Sequence, residues 1–164
     1  MTRSLRIGTG LVALLAATSA SAQFKVAQPQ DIVDAVASCM AATGAGSVDV
    51  ARLATDGWRP ATLAGKGGAV DTPLRFYSRK QSPALIMTMA SAGSCIATVR
   101  IAKADHFSEL ERAIATRFGG KVVERKPGET LFIASGEVVS LTLTGKPEAP
   151  TVRIGVMQVP QEKK

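Results

Sequence analysis

The sequence predicts an α+β fold: an antiparallel sheet of about six to seven strands packed with two N-terminal helices and one central helix. Three observations carry this. Residues 93–120 read as a strand, a helix and a glycine stop in succession. Beyond residue 120, four strand-like segments are separated by two turn dipeptides and a loop with two prolines. Two cysteines fall on core-directed faces of a predicted helix and a predicted strand, where a disulfide would staple the two.

The N-terminus comes first because it is expected to be removed. Arg3 and Arg6 form a positive n-region, an apolar run extends from Ile7 to about Ala17, and Ala20-Ser21-Ala22 is a small-residue cleavage signal. The apolar run is too short to span a membrane, and no later stretch approaches the roughly 20 apolar residues required. Residues 1–22 are thus expected to be a bacterial signal peptide, leaving a single α+β domain over residues 23–164 (164 − 22 = 142 residues) without a transmembrane span. The expected location is the periplasm or the secreted fraction. Loss of Arg3 and Arg6 lowers the formal net charge from +7 to +5.

Pro29 suits a first helical turn, and Ile32, Val36, Cys39, Met40 and Thr43 recur at helical spacing, predicting a helix over 30–43. Ser47 or Asp49 can cap a shorter helix reaching Thr55, with Val50, Leu53 and Ala54 inward. Trp58, the sole tryptophan, is either a core anchor or a ligand-facing aromatic. Gly65-Lys66-Gly67-Gly68 lacks the spacing of a phosphate-binding loop and reads as a loop.

Strands are predicted over 74–78 and 84–90. In the next, 95–101, Cys95, Ala97, Val99 and Ile101 share one face. Asp105 stands at an N-cap position. Phe107, Leu110, Ile114 and Phe118 form one stripe, and Gly119 ends the helix. Glu109 and Glu111 are two residues apart, so they do not share a face, and both read as solvated. Strands over 121–125 and 130–134 flank Pro127-Gly128, a type II turn. Ser135-Gly136 is a two-residue hairpin turn into a strand over 137–144. A loop over 145–150 and a strand over 151–159 complete the chain.

The Ser135-Gly136 hairpin pairs Phe132 with Val139, so Phe132, Val139, Leu141 and Leu143 line the core. Leu131, Ile133 and Val138 then face the other way. These three need a cover: a helix or loop of the same chain, a partner protein, or a second copy in a homodimer.

A Cys39–Cys95 bond would close a loop of roughly 57 residues, worth about 4 kcal/mol in the chain-entropy model. A catalytic thiol is not expected, because no CxxC is present. One histidine and a paired cysteine set leave no metal-ligand spacing, so neither metal nor cofactor is expected. Asp105, His106 and Ser108 are neighbours on one helix start, which does not make a triad, and Glu137 is expected at a sheet edge. Arg75, Arg79, Lys80, Lys121, Arg125 and Lys126 fall at strand ends and turns and would form one positive rim if those strands were adjacent. Aromatic residues are 4% of the chain, too sparse for stacking on nucleic acid. The expected function is that of an exported, non-enzymatic binding protein with an envelope protein as partner. The alternatives are a small periplasmic hydrolase, its active site not evident in the sequence, and a binder of an anionic envelope ligand through the basic rim.

Overall fold

A computed structural model describes residues 25–159 except 45, 63, 66–67, 70–71 and 90–92. The expected signal peptide, part of the glycine-rich segment at 65–68 and the tail from residue 160 lie outside the described residues. The elements run α1 Pro29–Ala42, β1 Thr43–Gly44, β2 Ser47–Val48, α2 Val50–Thr55, β3 Arg59–Ala61, β4 Ala64–Gly65, β5 Gly68–Ala69, β6 Leu74–Ser78, β7 Leu85–Met89 and β8 Ser94–Arg100. A 3-10 turn, Ala104–His106, leads into α3 Phe107–Phe118, followed by β9 Lys121–Lys126, β10 Glu129–Ala134, β11 Glu137–Lys146 and β12 Ala149–Gln158.

Eight strands form one antiparallel sheet in the order β3-β6-β7-β8-β12-β11-β10-β9. Each half is a meander: β3, β6, β7 and β8 on one side, β9 to β12 on the other. The halves meet where β8 pairs with β12, Cys95 opposite Val156 and Val99 opposite Val152. The α3 segment carries the chain from the centre to the far edge, and the second meander returns strand by strand to the seam.

The seam is also the core. Cys95, Ala97 and Val99 of β8 and Val152, Ile154 and Val156 of β12 have no solvent exposure, as have Val36 and Cys39 of α1. Phe132, Val139 and Leu141 extend this layer under α3, whose Leu110 and Ile114 are buried against it. Burial of each such side chain is worth roughly 1.5–3 kcal/mol. The expected Cys39–Cys95 disulfide is formed, with the two Cα atoms 5.4 Å apart, and joins α1 to the seam.

The helix starts follow their sequences. Pro29 opens α1, and the Gln28 N–H donates to Asp31 Oδ2 at 2.9 Å. Asp49 caps α2 by accepting from the Arg52 N–H. Gly119 ends α3 at φ 64°.

Several expectations are corrected. The sheet has eight strands because Arg59–Ala61 adds an edge, a short run whose central proline concealed it. The segment 145–150 is strand, not loop: β11 and β12 pair through Gly145–Pro150 and Lys146–Ala149, leaving Pro147-Glu148 as the turn. Gly145 permits this at φ 86°, where a Cβ would stand 2.6 Å from the Ala149 carbonyl oxygen. Asp105 lies within the 3-10 turn and does not cap α3; the turn's own His106 N–H to Lys103 carbonyl bond occupies that region. In α2, Val50 and Ala54 are exposed and Leu53 alone packs inward, since a helix of six residues presents little more than one position to the core.

Trp58 is fully buried, as the core-anchor reading holds. The Arg79 guanidinium lies 5.0 Å from its ring centroid and 3.6 Å from Asp34 of α1.

Candidate functional site

All three helices send their buried side chains to one face of the sheet. The other face carries Leu131, Ile133 and Val138, and register extends them across the sheet. One row runs Met89, Ser94, Met157, Val138, Ile133 over β7, β8, β12, β11 and β10. The row behind it runs Met87, Ile96, Gly155, Ser140, Leu131. Five strands at the usual spacing span about 19 Å. Ile133, Met157 and Met89 are 44%, 42% and 37% exposed, so the first row is open to solvent. The centre of the second row is low: a Cβ at Gly155 would lie 2.7 Å from the Ser140 hydroxyl.

Along the strands the same face changes character. Arg153 stands opposite Thr98 and Thr142, and Arg100 opposite Thr151. Neither arginine makes an ion pair among the described residues. The Thr98 hydroxyl and the Arg100 Nε are buried without a hydrogen-bond partner among the described residues. One end of the face is therefore methionine, isoleucine and valine, and the other is arginine and threonine.

The six basic residues do not meet in one rim. Arg75 lies on β6 with Arg79 and Lys80 just after it, whereas Lys121, Arg125 and Lys126 lie on β9, and β7, β8, β12, β11 and β10 stand between. Three of the six are already engaged: Arg79 by Asp34, Arg125 by Glu111, and Lys126 by Glu124 at 2.6 Å. Lys80 lines a shallow cleft of about 440 Å³ together with Lys25 and Asp31.

A second cleft, of about 450 Å³, separates α3 from the edge strand β9. Phe132, Val122 and Ala115 give it apolar walls, and Ser108, Glu111, Arg112 and Arg125 are its polar groups. Glu111 is 8% exposed, which corrects its reading as solvated; its carboxylate accepts from Arg125 Nε at 2.9 Å. The signal was present in the sequence, because Glu111 stands four residues after Phe107 and three before Ile114, at stripe spacing.

Glu137 also departs from its expected edge position. It begins β11, an interior strand, opposite Ala134 and Gln158, and is 8% exposed. Burial pushes its carboxyl up to about 7. His106 stands at the helix start with its side chain 45% exposed, 4.0 Å from Asp105. No group of three His, Cys, Asp or Glu side chains among the described residues is placed to hold a metal ion. No helix among them is long and apolar enough to cross a membrane. No protein-family model, curated protein or solved structure matches the chain.

Proposed function

We propose that this is an exported, non-enzymatic binding protein that docks an envelope protein on the helix-free face of its sheet. One observation carries the reading: the row Met89, Ser94, Met157, Val138, Ile133 is continuous in register, apolar at every position but Ser94, and open to solvent at Met89, Met157 and Ile133 on a disulfide-linked scaffold. The partner is a protein with apolar side chains over this row and carboxylates over Arg100 and Arg153. The disulfide fits an oxidising compartment. A binder of anionic ligands through the six-residue rim has less support, because its members lie on separated strands and half of them are paired.

The test compares the protein with its Leu131→Ser, Ile133→Ser, Val138→Ser triple variant in affinity capture from the native envelope. The expected result is a stoichiometric protein retained by the parent and lost by the variant, with unchanged far-UV circular dichroism. Equal capture by both proteins would contradict the assignment.

A further inference from the structure

The two edges of the sheet are unlike. The β3 edge is three residues long and has Pro60 at its middle, which carries no N–H to donate. The β9 edge is six residues long, pairs among the described residues only with β10, and every residue in it is exposed. Beside it lies the α3 cleft, whose shape has a local cause. The Gly120 N–H donates to the Ala115 carbonyl at 2.8 Å, and a Cβ there would come 3.3 Å from the Ala115 Cα. Helix and strand are thus in contact at the glycine link, and the 450 Å³ cleft separates them beyond it. That volume is within the roughly 300–1,000 Å³ of ligand clefts.

Register divides the strand's side chains. Val122 and Arg125 pair with the core-facing Phe132 and Thr130, so they turn toward α3. Lys121 and Glu124 pair with Ile133 and Leu131, and Lys126 with Glu129, so these charges lie on the other side. Charges and a bulge are the usual guards against edge-to-edge pairing, and β9 has a bulge between Glu124 and Val122. Its net charge is positive, with Lys121, Arg125 and Lys126 against Glu124. A second copy of β9 in antiparallel pairing would set Lys121 against Lys126 and be repelled. In the cleft Glu111 is taken by Arg125, which leaves Arg112 as a cation without an ion pair among the described residues.

We propose that this cleft takes an extended acidic peptide as a ninth strand, hydrogen-bonded to the free edge of β9. Main-chain bonds to β9 hold the segment. One of its apolar side chains packs between Val122 and Ala115, and a carboxylate reaches Arg112. This surface is separate from the helix-free face, so the two assignments stand or fall independently.

The probe is a capped heptapeptide, Asp-Val-Thr-Val-Glu-Val-Asp, titrated into the isotope-labelled protein and followed by amide chemical shifts, with a Lys-for-acid version as control. Expected are saturable shifts confined to β9 and α3, at least about tenfold weaker binding of the basic peptide, and about fivefold weaker binding to an Arg112→Glu variant. Arg112 is exposed and unpaired, so that variant leaves the fold intact. Shifts centred on Ile96, Val138 and Met157, equal binding of both peptides, or concentration-dependent shifts of β9 without peptide would each overturn the proposal.

Discussion

The Nε of Arg125 donates to Oε1 of Glu111 across 2.9 Å, tying the outermost strand to α3. The Glu111 side chain is 11% exposed and that of Arg125 62%, so the pair is half screened by water. A double-mutant cycle with Glu111→Gln and Arg125→Gln should give a coupling of about 1 kcal/mol. Urea denaturation of the four proteins measures it, and zero coupling would show that the contact does not anchor the strand.

Glu137 makes stability depend on pH in a defined direction. Burial raises its carboxyl from 4.5 to about 7, so between those values the native state keeps a proton that the unfolded chain has released. Its contribution to stability is therefore full below about pH 4.5 and is lost as pH rises through about 7. Allowing for solvent screening, the loss should be about 1–2 kcal/mol. Glu137→Gln should flatten this part of the profile and be the more stable protein at pH 8. Parallel profiles from pH 5 to 8 would rule out the carboxyl as the source.

The disulfide closes the chain between positions 56 residues apart. A Cys39→Ala, Cys95→Ala double variant should lose about 4 kcal/mol in the chain-entropy account. Reduction of the parent protein should move its unfolding midpoint in the same direction. Unchanged midpoints in both experiments would show that α1 is held to the seam by packing alone.

Ser135 is the one non-glycine among the described residues with positive φ, at 52°, followed by Gly136 at 83°. Asparagine accepts that conformation better than serine in such two-residue turns. Ser135→Asn should raise stability by about 0.5–1 kcal/mol, read as a higher thermal midpoint. A lower midpoint would mean that the turn is held by something other than backbone preference.

Local periodicity made much of this fold legible. The Phe132–Val139 pairing, the α3 stripe, the Asp49 cap and the inward direction of both cysteines follow from spacings of two and 3.6 within short windows. What was not legible is non-local. Nothing near Arg79 or Arg125 says that five strands separate β6 from β9, so the basic residues could be grouped only by assuming adjacency. Pro60 hid an edge strand, and Pro147 with Pro150 hid the continuation of a hairpin. Glu111 keeps stripe spacing with Phe107 and Ile114, but a carboxylate on a helix reads as solvated unless its partner, here Arg125 on a distant strand, is known. The helix-free face was half visible: Leu131, Ile133 and Val138 pointed away from the core, but Met89 and Met157 joined them only through the sheet order.

The most direct measurement is site-specific photo-cross-linking in intact cells, with the photoreactive residue at Ile133 or Met157 and, as a control, at Ala51, an exposed position of α2. The binding account expects one discrete protein adduct of the same mass from both sheet positions and none from Ala51. Absence of an adduct at both sheet positions, or the same adduct from all three, would contradict a docking surface on the helix-free face.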